Sequence, residues 1–318
     1  MDSIEKAMLA RQRGPVRSPP PPLPPVASQP AEGVIERMAH LTMASPDSVT
    51  TATPGSAKRT QRSATLDFER IRAAGLLAPD TQRSRIKEEY RHIKRPLLIN
   101  ADGRGATTVE HPNLIMVTSA RSGEGKTFTA CNLALSIAAE RDRTVLLVDA
   151  DVIKPSIAKM LGFKAEQGLV DLLIDEQLEL ADVLVDTNVP SLTILPAGST
   201  HHLSTELLAS DNMRKLAAEL SGRYADRVIV LDSPPLLMTT EASVLASLAG
   251  QIVMVVEAGR TYQSQVQEAL ALLDPNQIVG FVLNKKKGIL GADYYGYSYG
   301  YGSRYGYGRD ARDHDAEE

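Results

Sequence analysis

Between residues 114 and 283 the chain alternates short unbroken apolar runs with stretches of helical periodicity. The apolar runs fall at residues 114–118, 145–149, 192–196, 228–232, 252–256 and 278–283. They are rich in β-branched residues and lack in-and-out alternation, the pattern of strands buried on both faces of a parallel sheet. Residues 127–141, 203–221, 241–248 and 263–273 read as helices between them. Strand–helix–strand repetition predicts an α/β fold, a doubly wound, mostly parallel sheet with helices on both faces. Such sheets bind ligands at the carboxyl ends of their strands.

The flanks read differently. Residues 83–96 form a charged helical pattern with Ile86, Tyr90 and Ile93 on one face, and Pro96 is expected to end it. Upstream, residues 15–30 are proline-rich and residues 42–64 are rich in Ser, Thr and Ala. Both compositions predict extended or disordered chain, so residues 1–82 are expected to be a disordered linker. Residues 288–318 carry Tyr294, Tyr295, Tyr297, Tyr299, Tyr301, Tyr305 and Tyr307 among Gly and Ser, and end in acids. This composition predicts a flexible tail. The expected division is thus 1–82, 83–287 and 288–318.

Composition narrows the function. A hydrophobic share of 43% supports a real core, and a net charge of −4 argues against nucleic acid as a partner. One cysteine, Cys131, permits no internal disulfide. No apolar stretch approaches the ~20 residues a membrane helix needs, so a cytoplasmic location is expected unless a partner recruits the chain to the inner face of the plasma membrane.

Three motifs carry chemistry. Ala120 to Thr127 reads ARSGEGKT, directly after one apolar run and at the start of a helix. This is a Walker A loop with Ala in place of the first Gly, which makes the fold a P-loop NTPase. Gly123 and Gly125 supply open backbone conformations for phosphate-binding N–H groups. Ser122, Glu124 and Phe128 complete the cradle around them. Lys126 is placed to reach the β- and γ-phosphates of ATP and the Thr127 hydroxyl to ligate Mg2+. The second motif is the apolar run ending in Asp149 and Asp151, and the third the run ending in Asp232 before Ser-Pro-Pro. Acids that end buried strands at the phosphate edge need a compensating charge, which Mg2+ supplies.

This order of a Walker A loop, an apolar DxD strand and a Walker B strand, closed by a tyrosine cluster, resembles the bacterial tyrosine kinases. EEYRHIKRPLL, GEGKTFTACNLALSIA, TVLLVDADV and LDSPPLLMTTEA are similar, more narrowly, to the exosortase-associated tyrosine autokinases of exopolysaccharide loci. The resemblance implies an ATP-dependent autokinase in which the tail of one subunit is phosphorylated by another. It implies catalytic roles for Lys126, Asp149, Asp151 and Asp232, and a metal site of Thr127, Asp151 and Asp232. One of Asp149 and Asp151 activates the tyrosine hydroxyl, with Asp149 favoured. Asn284 falls at an adenine-contacting position, or is simply a turn residue.

The family's ExxRxxR motif for subunit contacts reads Glu88, Arg91, Lys94 here, with Lys replacing the last Arg. It implies a homo-oligomeric ring. The implied partners are a membrane polysaccharide co-polymerase as activator and a tyrosine phosphatase. The chain departs from the pattern at Ile153 and Lys154, where an Arg often follows the DxD. Lys285 to Lys287 read as a solvated basic run. A partitioning-type switch ATPase is the alternative reading, but it expects Lys where Arg121 stands.

Overall fold

The computed structural model describes residues 62–79, 84–105, 109–223 and 226–286. The tyrosine cluster and most of the N-terminal region lie outside these residues. Eight strands form one sheet in the order β1-β4-β5-β3-β6-β2-β7-β8. They are β1 (Arg62–Ala64), β2 (Leu114–Ser119), β3 (Thr144–Asp149), β4 (Val185–Thr187), β5 (Leu192–Leu195), β6 (Arg227–Asp232), β7 (Gln251–Glu257) and β8 (Ile278–Asn284). The six strands expected from the apolar runs are all present and parallel to their neighbours from β5 to β8. The short β4 pairs antiparallel with β5, and β1, parallel to β4, runs the same way.

The absence of alternation in the apolar runs has a direct cause. Every residue of β2 is buried, and successive side chains enter different cores. Leu114 and Met116 join one apolar cluster with α8 (Asp211–Arg223) and α9 (Glu241–Leu248). Ile115 and Val117 join the other, with α3 (Lys126–Ala138). That is the period-two geometry of a strand covered on both faces. Helix α3 is buried almost all round, from Thr129 to Ala138, because α2 (Arg85–Ala101) lies over its outer side. The expected single helix over 203–221 is two, α7 (Ser204–Leu208) and α8.

Two expectations about the N-terminal side are corrected. Residues 62–79 are part of the fold: β1 pairs with β4, and α1 (Phe68–Ala73) follows it. Leu66, Ile71, Leu76 and Leu77 are buried against the second cluster. Apolar residues interleaved with charged ones are enough to dock the segment. Helix α2 also runs through Pro96 instead of ending there. The ring removes one helical hydrogen bond, but buried Leu97 anchors the following turns. Gln251 Nε2 donates to the Leu97 carbonyl (3.1 Å), and Asn100 Nδ2 donates to Gln251 Oε1 (2.9 Å).

Candidate nucleotide-binding and catalytic site

The three motifs converge because their strands are neighbours. β2 delivers the glycine loop, while β3 and β6 deliver Asp149 and Asp232 directly opposite each other. Gly123 (φ +88°) and Gly125 (φ +100°) adopt the left-handed conformation that the loop requires. A Cβ at Gly125 would sit 2.1 Å from Asn284 Nδ2. Gly125 caps α3, so the loop meets the positive end of a helix dipole.

Lys126, Asp149, Asp151 and Asp232 are buried, as is Glu124 in the loop. Lys126 Nζ lies 3.7 Å from Asp151 Oδ2. Asp149 Oδ2 accepts from the N–H groups of Ser156 and Ile157 (3.0 Å each), which fixes its plane. Among the described residues its Oδ1 and both oxygens of Asp232 have no hydrogen-bond partner. The Thr127 hydroxyl faces Asp232 without reaching hydrogen-bond geometry. Burial pushes the Asp149 carboxyl up to about 6, against the pull of the two N–H groups, with Asp151 adding to the rise. Burial, then the facing Asp149, pushes Asp232 up to about 8.

Three acids facing one lysine leave an excess of negative charge around unsatisfied oxygens. That donor set fits a hard divalent cation. Among the described residues no three His, Cys, Asp or Glu side chains form a complete metal cage. Mg2+ does not require one, since it keeps several waters and binds through one or two carboxylates plus substrate phosphates. Thr127, Asp151 and Asp232 fit that role.

Other expected residues are sorted by their surroundings. Ser122 is exposed and, with Arg121, Leu237, Met238 and Gln265, lines a cleft of about 540 Å3 beside the loop. Phe128 packs against the second core cluster and lies 3.6 Å from where a Cβ on Gly75 would stand. Its ring thus faces the α1 turn and only its backbone belongs to the cradle. Asn284 Nδ2 donates to the Glu124 carbonyl (2.9 Å) and its Oδ1 accepts from Lys285 N–H (2.9 Å). The side chain addresses the loop backbone.

The motif Glu88, Arg91, Lys94 is divided. Glu88 and Arg91 are exposed and paired with each other (2.7 Å). Lys94 is buried, donating to the Ser136 carbonyl (2.6 Å) and pairing with Glu140 (2.5 Å). It cannot face a neighbouring subunit; exposed Arg95 beside it can.

Three participants escaped the sequence reading. The Thr261 hydroxyl donates to Glu124 Oε1. Lys285 donates to the Gly123 carbonyl and pairs with Glu257. Lys285 is therefore not part of a merely solvated run. All three lie at or just beyond the carboxyl ends of β7 and β8, the edge where the strand-end rule places ligands.

A glycine loop bearing a lysine, set over buried acids at the carboxyl edge of a parallel sheet, defines a P-loop NTPase. A family model, ParA, described as NUBPL iron-transfer P-loop NTPase, matches residues 110–287, and the chain belongs to that class. Iron–sulfur ligation calls on several cysteine thiolates, whereas the one cysteine here is buried; what is shared is the scaffold. The chain is 31% identical over 215 residues to Tyrosine-protein kinase YwqD of Bacillus subtilis (strain 168), covering 67% of this chain and 86% of that protein. It is 34% identical over 241 residues to Succinoglycan biosynthesis transport protein ExoP of Rhizobium meliloti (strain 1021), covering 73% of this chain but 29% of ExoP. The crystal structure of the VpsO kinase domain superposes with a TM-score of 0.52 at 31% identity, covering 64% of this chain and all of that domain. The chain belongs to the bacterial tyrosine-protein kinases and is a protein-tyrosine kinase.

Proposed function

We propose that this kinase transfers the γ-phosphoryl group of ATP to tyrosines of its own C-terminal cluster, Tyr294 to Tyr307, presented by a neighbouring copy. The observation that carries the reading is the free Asp149 Oδ1. It is a buried oxygen of a carboxyl with a raised pKa, at the carboxyl edge of the sheet, with no hydrogen-bond partner among the described residues. A tyrosine hydroxyl, ordinarily protonated at neutral pH, needs such a base.

Thr127, Asp151 and Asp232 would hold Mg2+, which when bound neutralises charge on the β- and γ-phosphates. Lys126, released from Asp151 to the triphosphate, holds the bridging region. The acceptor ring enters the cleft between Arg121 and Met238, whose thioether and the neighbouring Leu237 offer an apolar face. The tyrosine oxygen forms a bond to the γ-phosphorus as the bond to the β–γ bridging oxygen breaks. The phenolic proton passes to Asp149 and ADP leaves. Each phosphotyrosine adds nearly two negative charges, so a modified tail is repelled by the acids of the site and leaves it.

In the wider reading, exposed Glu88, Arg91 and Arg95 join subunits into a ring. The process served is exopolysaccharide synthesis and export, which the name of ExoP supports. ExoP carries the matching region as 29% of a longer chain. For this kinase a separate membrane co-polymerase would supply the activating segment and hold it at the inner face of the plasma membrane. A tyrosine phosphatase would reset the tail. Among the described residues no helix is long and apolar enough to cross a membrane.

Phosphotyrosine mapping by mass spectrometry after incubation with ATP and Mg2+, beside Lys126→Ala, tests the core of the reading. Phosphate on residues 294–307 that disappears in the variant is expected. Its absence, with the co-polymerase segment added, overturns the autokinase assignment.

A further inference from the structure

The phosphate loop is held from outside by the ends of two neighbouring strands. Lys285, the first residue after β8, donates from Nζ to the Gly123 carbonyl (2.5 Å) and to Glu257 Oε2 (3.2 Å). Asn284 Nδ2 donates to the Glu124 carbonyl (2.9 Å). The Glu124 carboxylate, itself buried, accepts from the Arg121 N–H (2.7 Å) and from the Thr261 hydroxyl. Two consecutive loop carbonyls are thus pinned by residues outside the Walker A motif, and the Glu124 side chain is held by Thr261 outside it and Arg121 within it.

A trans peptide unit points its C=O and N–H in opposite directions. Fixing the Gly123 and Glu124 carbonyls outward aims the N–H groups of Glu124 and Gly125 the opposite way, across the loop. Among the described residues nothing accepts from either N–H. Aligned free N–H groups at a helix N-terminus form an anion nest. Lys285 reaches its two acceptors from a left-handed backbone (φ +57°), uncommon for a residue with a side chain. A conformation of that kind persists where the surroundings over-determine it. Glu257 completes the device, since its carboxylate, largely buried, holds the ammonium over the loop.

We infer that Lys285 is a positioning residue of the phosphate loop: with Asn284 it holds the loop's carbonyls outward so that the N–H groups are set for a triphosphate. Lys285 touches no phosphate and acts through the backbone of Gly123. The inference deepens the kinase reading and rests on it for the identity of the nucleotide.

The test uses the full chain as Lys285→Met, Lys285→Arg and Lys286→Met. Kd for ATP and ADP is read by calorimetry, and the melting midpoint is read without nucleotide. Loss of a charge-assisted hydrogen bond that sets the loop should weaken both nucleotides by about tenfold in Lys285→Met. The melting midpoint should stay at the wild-type value, and Lys285→Arg should recover most of the affinity. Lys286→Met, which removes the same charge one residue on, should bind like wild type. Affinity in Lys285→Met within about twofold of wild type would overturn the proposal, as would an equal loss in Lys286→Met, which would make the effect general electrostatics. A lowered midpoint with unchanged Kd would also overturn it, making the role merely structural. Phosphotyrosine missing from the wild type, with weakened nucleotide binding in Lys285→Met, would refute the kinase reading and leave this one standing.

Discussion

Asp149 and Asp232 stand opposite each other on adjacent parallel strands, both buried, and three of their four oxygens have no hydrogen-bond partner among the described residues. Two facing carboxylates in an apolar sheet cannot both ionise without cost. This relationship weighs on the stability of the site, while burial of Asp149, with Asp151 adding to it, sets the catalytic pH range.

For stability the important group is Asp232, whose carboxyl moves from 3.8 to about 8. Between those values the folded chain keeps a proton that the unfolded chain has lost. Stability therefore falls as pH rises from about 4 to about 8 and stays low above that. Asp232→Asn removes the penalty. Melting in EDTA without nucleotide should place the variant at least roughly 5 °C above wild type at pH 8, with the gap closing as pH falls to about 4. Equal midpoints at pH 8 would mean that Asp232 is satisfied by a partner.

Asp149 sets the reaction. With a carboxyl near 6, it is mostly ionised at neutral pH and ready to accept the tyrosine proton. The kcat/KM profile for phosphotyrosine formation should lose activity below pH ~6, with about a tenfold fall per pH unit. Asp149→Asn should lower the rate by ~10²–10⁴ while ATP binding persists, because Lys126 and the loop are untouched. An unchanged acidic limb in this variant would move the base to Asp151.

What the sequence made legible were features encoded locally. The parallel strands announce themselves because both faces are buried, and the Walker A loop because Gly, Lys and Thr must occupy fixed positions. Residues 62–79 were hidden because charged residues are interleaved with the apolar ones, such as Leu66 and Ile71, that dock them. Lys285 was hidden because its partners, Gly123 and Glu257, are far away in sequence. The inward turn of Lys94 was readable, however. It shares the spacing of Tyr90 and Leu97, the buried stripe of α2, whereas Glu88, Arg91 and Arg95 follow the exposed one.

Gly125 tests the cradle geometrically. A methyl group there would meet Asn284 Nδ2 at 2.1 Å on a backbone already at φ +100°. Gly125→Ala should carry ~1–3 kcal/mol of strain, relieved by displacing Asn284 and freeing the Glu124 carbonyl. Nucleotide affinity should drop by at least about tenfold while the far-ultraviolet circular dichroism stays native. Wild-type affinity would mean that the loop binds phosphate in another conformation.

The divided motif on α2 predicts two different phenotypes from neighbouring lysine and arginine changes. Lys94 is a buried cation satisfied by Ser136 and Glu140. Lys94→Ala removes a charge-assisted bond from the α2–α3 contact and leaves the Ser136 carbonyl without that donor, so it should destabilise the fold by ~1–3 kcal/mol. Arg91 is half exposed and, among the described residues, pairs with Glu88 one turn away. Its loss should change stability by no more than about 0.5 kcal/mol. If the exposed stripe joins subunits, Arg91→Ala should instead shift the protein toward monomer in analytical ultracentrifugation and reduce phosphorylation of the tail in trans. A wild-type mass distribution for Arg91→Ala, with Lys94→Ala dissociating at full stability, would reverse the assignment and return the contact to Lys94.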